Sequence, residues 1–195
     1  MQTFIDHARA FRTHAAGDEE FRRLADGQSP LALFITCSDS RVIPSMITGA
    51  RPGELFELRT AGNIVPAYRP ERPSGEAATI EFAVEVLGVR DVVVCGHSHC
   101  GAVGALVRGD DLSTVPALRG WLADSATPPA TQDATKELAG SVQSHVLAQL
   151  ERLRAYPAIR TRLDSGRIGL HAWYYEVHTG SVLAHRPDPG VFLPL

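Results

Sequence analysis

Two short segments of the chain carry residues whose types and spacing could hold a metal ion and use it. In "LFITCSDSRVIPS", residues 33–45, an apolar run ends in Cys37, Asp39 and Arg41 on alternate positions. In "VVVCGHSHCGAVGAL", residues 92–106, His97 and Cys100 stand three apart. Two thiolates and one imidazole make a ligand set that zinc favours. Three protein ligands leave a fourth tetrahedral position open, which distinguishes a catalytic zinc from a closed structural one. Neither segment makes the case alone. A single cysteine at a strand end is commonly a small buried hydrophobe, and an H-x-x-C spacing recurs by chance.

Asp39 lies two residues from a candidate ligand, within reach of the fourth position. Arg41 can hold its carboxylate in a two-pronged ion pair, fixing its orientation and keeping it ionised. A carboxylate so placed can accept a hydrogen bond from a metal-activated hydroxide. The plainer alternative is an exposed salt bridge in a turn, which contributes little. A phosphatase-like thiol would need its cysteine and arginine six apart around a phosphate. Here they are four apart, with an aspartate between them that would repel it. Cys95 lies inside an apolar run and reads as core. His99 alternates with His97 and points elsewhere. His7, His14, His145, His171, His178 and His185 show no ligand spacing and read as solvent-facing or packed.

Bringing the two segments together is a task for the elements around them. The pattern predicts helices over 3–14 and 18–26, the second capped by Asp18. "LALFIT" (31–36) and "DVVVCG" (91–96) are continuous apolar runs, as in strands buried on both faces. "ELFELRT" (54–60) alternates like a strand, and 74–88 reads as a helix capped by Ser74 and ended by Gly88. Residues 100–109 form a further helix. A Pro-, Ala- and Thr-containing stretch to about 131 allows one short helix. A long helix over 133–156, with Pro157 beyond its end as the stop, places Leu138, Val142, Val146, Leu150 and Leu153 along one face. Two strands joined at "HTGS" close the chain. Strands alternating with helices predict an α/β fold: a mostly parallel sheet flanked by helices, with an N-terminal helical arm and an antiparallel C-terminal edge strand. In such sheets, sites collect outside the carboxyl ends of the strands. Cys37, His97 and Cys100 all fall just there.

The bulk properties narrow the class. The 195 residues suit one domain, 1–195, with 1–27 as the arm. A net charge of −3 gives no electrostatic footprint for nucleic acid. No apolar run reaches the roughly 20 residues that span a bilayer, and the charged N-terminus lacks the apolar core of a signal peptide. The expected location is the cytoplasm, where three widely separated cysteines suit metal binding or catalysis better than disulfides.

The combination of "CSDSR", "RTAGN" and "GHSHCGAV" resembles the β-class carbonic anhydrases, nearer the plant-like subgroup than the bicarbonate-regulated one. The resemblance extends through "QSPLALFITCSDSRV", "PGELFELRTAGNIV" and "WYYEVHTGSV" to nearly the whole chain. It implies reversible hydration of CO2 to bicarbonate and a proton by zinc-activated hydroxide, one zinc per chain, and a homodimer or homotetramer with the site near the subunit interface. It also implies zinc on Cys37, His97 and Cys100, with Asp39 and Arg41 as the catalytic pair. Gln28 would hydrogen-bond substrate, Phe56 would line the CO2 pocket, and Gly101 would turn its N–H toward substrate. Phe82 stands where plant-like enzymes carry a tyrosine and would supply the pocket with a ring but no hydroxyl. The regulated subgroup binds bicarbonate with a tryptophan at the position of Phe34; here only its arginine, Arg59, is matched. The expected resting state therefore has Asp39 paired to Arg41 rather than turned onto the metal. Two other functions share these residues: a zinc hydrolase acting on COS or CS2, and a non-catalytic structural or sensor zinc domain.

Overall fold

Apolar runs too short for helices become the inner strands of the sheet. The structure is a computed structural model and describes residues 1–14, 18–125 and 136–195. Strands β1 (Ala32–Cys37) and β3 (Asp91–His97) are neighbours, flanked by β2 (Leu55–Thr60) on one side and β4 (Gly169–Tyr175) on the other. All four run parallel, and β1 and β3 are buried along almost their whole length. That burial on both faces is why their sequences do not alternate. Two further strands, β5 (Val182–Arg186) and β6 (Val191–Pro194), extend the sheet antiparallel beyond β4. The sequence led to the expectation of one antiparallel edge strand; β6, only four residues long, makes the edge instead.

The helices follow the predicted pattern with several differences. The N-terminal arm comprises α1 (Gln2–His14) and α2 (Asp18–Ala25); the side chain of Asp18, the expected cap, lies outside the described residues. A short α3 (Pro44–Thr48) follows the first candidate segment. The helix expected over 74–88 is α4 (Gly75–Glu81), running on into a π-helical turn, Phe82–Val86. Ser74 Oγ caps it by accepting from Ala77 N at 3.2 Å. Then come α5 (Gly101–Arg108), α6 (Pro116–Ser125) and α7 (Lys136–Arg154). The start of the expected 133–156 helix, residues 133–135, lies outside the described residues. It ends at Arg154, and Pro157, expected only as a stop, opens a separate helix, α8 (Pro157–Asp164). Among the described residues, no helix is long and apolar enough to cross a membrane.

One packing contact fixes the depth of the site. Helix α7 lies across β3 and β4, with Val142, Val146 and Leu153 wholly or almost wholly buried against Val92 and Val94. Each such side chain contributes about 1.5–3 kcal/mol by leaving water. The helix comes this close because residue 96 is glycine. A β carbon there would lie 2.6 Å from Val146 Cγ2 and 2.7 Å from Val142 Cγ1. Gly96→Ala is therefore expected to overpack the β3–α7 interface and destabilise the protein by about 1–3 kcal/mol. A lower denaturant midpoint with an unchanged slope in equilibrium unfolding is the check.

Candidate metal centre

Cys37 ends β1 and His97 ends β3, and the parallel register of these adjacent strands (Thr36 opposite Cys95) puts the two side chains on one rim of the sheet. Cys100 comes three residues later, at the residue that caps α5. The chain bends between them through His99, whose φ of 58° lies in the left-handed region. As a result one ligand atom each from Cys37, His97 and Cys100 lies within 4.8 Å of the others, and all three residues are buried.

The chemistry of these atoms fits a cation. His97 Nδ1 lies 2.9 Å from the Ser98 carbonyl oxygen, which can only accept, so Nδ1 carries the proton and Nε2 keeps a bare lone pair. That Nε2 is fully buried and has no hydrogen-bond partner. The Cys37 thiol is held below its ordinary value, first by the neighbouring Cys100 thiol and further by backbone N–H groups, Gly62 among them, against the opposing effect of burial. Cys100 is pushed up because it keeps the proton that the pair shares. Negative charge on sulfur beside an unpaired imidazole nitrogen is what a zinc ion would bind. Cys95 is the contrast: it is wholly buried with Phe34 and Val93, its thiol is pushed up to about 12 by burial, and it is core, as its apolar surroundings predict.

Asp39 and Arg41 form the two-pronged pair. Arg41 Nε donates to Oδ1 at 2.9 Å, its NH2 group to Oδ2 at 2.7 Å, and its backbone N–H to Oδ1 at 3.0 Å. The guanidinium keeps the Asp39 carboxyl well below the usual carboxylate range. Oδ2 lies 3.8 Å from His97 Nε2, so the carboxylate overlooks the three ligand atoms. A fourth bond from Arg41, to the His99 carbonyl at 3.2 Å, ties the pair to the β3–α5 turn. The His99 ring turns away, 6.0 Å from that of His178.

Several residues that the sequence did not single out for this task hold the site in shape. Arg59 donates to the carbonyls of Cys37, Asp39 and Val42, at 3.2, 2.8 and 2.7 Å, and so fixes the loop that carries the Asp39–Arg41 pair. Gly62 N–H donates to Cys37 Sγ at 3.4 Å. His145, nearly fully buried on α7, meets the Gly62 carbonyl at 2.8 Å. The motif "RTAGN" contained Arg59 and Gly62, but nothing in spacing or periodicity points to His145.

Of the expected pocket residues, only Gly101 stands beside the ligands; it opens α5 directly after Cys100 and is exposed. Gln28, Phe56 and Phe82 are not brought there within one chain. Phe56 pairs with Leu33, four residues before Cys37 along β1, or about 13 Å down the strand. The Phe82 ring stays with it, at 5.9 Å, and is 42% exposed. Gln28 is exposed in the loop ahead of β1, in a cleft with Leu24, Leu31, Gly53 and Glu54 that no metal-ligand residue lines. The physical reason is the strand itself: a parallel pair carries Phe56 to the opposite end of the sheet from Cys37.

Comparison with known proteins gives the same picture. A family model described as carbonic anhydrase matches residues 32–182. The carbonic anhydrase of Pseudomonas aeruginosa is 44% identical over 190 residues, spanning 93% of this chain and 86% of that protein. Carbonic anhydrase 1 of Escherichia coli O157:H7 is 42% identical over 203 residues, spanning 100% of this chain and 92% of its own length. Among solved structures, the β-carbonic anhydrase CcaA superposes with a TM-score of 0.92 at 36% identity, covering 100% of this chain and 99% of the other. A tetrameric β-carbonic anhydrase from Sordaria macrospora gives a TM-score of 0.72 at 28% identity over 94% of each chain.

The Asp39 carboxylate ties stability to pH. A carboxyl depressed in the folded state contributes stability fully above its unfolded pKa, about 3.9, and loses that contribution as pH falls below it. Metal-free wild type should therefore lose more stability than metal-free Asp39→Asn between about pH 5 and pH 3. Denaturant midpoints measured across that range are the check, and parallel curves would refute the pairing.

Proposed function

The chain belongs to the β class of carbonic anhydrases, enzymes of the reversible hydration of CO2 to bicarbonate and a proton, and we propose that it works with one zinc ion per chain held by Cys37, His97 and Cys100. The observation that carries this reading is the buried, unpartnered Nε2 of His97 clustered with the sulfurs of Cys37 and Cys100, one ligand atom of each within 4.8 Å of the others. Zinc bound there supplies the Lewis acidity that turns water into a nucleophile at moderate pH.

The chain's own residues do the rest. Two thiolates offset the charge of the metal, so activity should rise in the alkaline range rather than near neutrality. Asp39, kept ionised by Arg41, accepts a hydrogen bond from the nucleophile and turns a lone pair toward CO2. Arg41, reinforced through the His99 carbonyl, prevents Asp39 from swinging onto the metal. Gly101 offers its N–H to a product oxygen at the start of α5.

For the apolar half of the pocket we propose a second copy of the chain. Gln28, Phe56 and Phe82 are the expected substrate-binding residues, yet they lie at the far end of β1 and β2 from their own ligands. A partner subunit can present them to the site, with Gln28 supporting the product oxygen and the two phenylalanine rings excluding water around CO2. The exposed Phe82 and Val86, together with Phe4 and Phe11 on the helical arm, provide an apolar surface for that contact. A homodimer is the working unit of this proposal, and the tetrameric Sordaria relative is a model for its doubling. The whole of 1–195 acts as one domain, and its free cysteines suit the reducing cytoplasm.

Two measurements test this reading. Cys100→Ser should hold far less than one zinc per chain, as counted by metal analysis of the same sample used for stopped-flow CO2 hydration; full occupancy would refute the ligand set. Arg41→Ala should keep its zinc but lose about 10–100-fold in kcat/KM, the usual cost of removing a group that orients a partner of the metal.

A further inference from the structure

The short turn Ala61–Asn63 after β2 is gripped from outside at two successive carbonyls. On α6, Trp121 Nε1 donates to the Ala61 oxygen at 2.9 Å. On α7, His145 Nε2 donates to the Gly62 oxygen at 2.8 Å. The Ala61 carbonyl and the Gly62 N–H are the two ends of one peptide unit. That N–H donates to Cys37 Sγ at 3.4 Å. Indole, peptide and sulfur therefore form a chain of hydrogen bonds running in one direction. The direction is unambiguous, because an indole nitrogen can only donate. Donation into a carbonyl polarises the peptide and strengthens the N–H at its other end. The turn itself admits only glycine at position 62: φ is 75°, and a β carbon would lie 3.2 Å from that of Ala102.

We propose that Trp121 is a positioning residue of the metal centre: through the Ala61–Gly62 peptide it aims and strengthens the hydrogen bond on the Cys37 sulfur, and so limits the charge which that sulfur gives to the metal. The inference rests on Cys37 being a metal ligand. Its consequence follows from the ligand set. Two thiolates make the metal a weaker Lewis acid; a hydrogen bond on one of them restores part of that acidity. Trp121, on a helix that supplies none of the metal ligands, thereby acts on the pH at which the enzyme becomes active.

Cobalt(II) in place of zinc makes the sulfur visible, because thiolate-to-cobalt charge transfer absorbs in the near ultraviolet. Trp121→Phe keeps an aromatic ring and removes the N–H. The expected result is a charge-transfer band at longer wavelength than in the wild type, since a sulfur relieved of its hydrogen bond gives up charge more readily. The pH–rate midpoint of the zinc-loaded variant should move to higher pH. A residue that merely packs would lower stability without moving the band. Trp173→Phe, on a tryptophan that packs edge-on to Phe34 instead, should leave the band in place. Should the phenylalanine variant fail to fold, benzothienylalanine at position 121 keeps the shape of indole without its N–H and takes its place in the comparison. Coincident bands in folded wild type and variant would overturn the role of Trp121. Absence of any thiolate-to-cobalt band in the wild type would overturn the ligand assignment itself.

Discussion

A buried imidazole nitrogen with no partner is costly. Leaving such an acceptor out of water unpaired sacrifices about 1–3 kcal/mol. The folded chain tolerates this at His97, with the sulfurs of Cys37 and Cys100 beside it, and a cation bound there would relieve it. Much of the rest of the architecture keeps these groups in register. Parallel pairing of β1 and β3 sets Cys37 beside His97. The left-handed turn at His99 returns the chain so that Cys100 completes the set.

Around Cys37, His97 and Cys100, much of the holding is done on backbone carbonyls. Arg59 collects three carbonyls of the loop from Cys37 to Val42. Helix α7 does the same for the segment after β2: His145 holds the Gly62 carbonyl, Gln149 accepts from Val65 N–H at 2.9 Å, and Arg152 donates to the Val65 carbonyl at 3.4 Å. These three residues recur every three or four positions, so they form one polar stripe on a helix whose neighbouring stripe, Val142, Val146 and Leu153, is core. The same helix therefore presses on the sheet through Gly96 and grips the loop that donates to Cys37. Packing and chemistry are coupled there, because moving α7 outward would displace both.

The pair Asp39–Arg41 shows how an exposed ion pair can matter when it is geometrically constrained. The Arg41 side chain is 48% exposed, and on energy alone such a pair would contribute little. Its value lies in direction: three hydrogen bonds to one carboxylate leave Asp39 a single orientation, facing the ligand atoms. At the far end of the same strands, Phe56 packs half-buried against the core and against Phe82, and Gln28 is exposed in the loop ahead of β1.

Sequence alone placed Cys37, His97 and Cys100 at strand exits, because continuous apolar runs alternating with helices form inner parallel strands whose exits share one rim. It also determined Cys95 as core, since the residues on either side of it are apolar, and it made the Asp39–Arg41 pair legible from spacing alone. Tertiary structure decided what no local pattern encodes. Register, not composition, set Phe56 about 13 Å from Cys37 along the strands. Helix α8 and strand β6 went unseen because Pro157 reads equally as a stop or a start, and because a four-residue strand has too few residues to show alternation. Trp121 and His145 lie 84 and 108 positions from Cys37 in a sequence that gives neither a motif. Each acts through a backbone carbonyl, and a hydrogen bond to a carbonyl leaves no mark on the residue type that provides it.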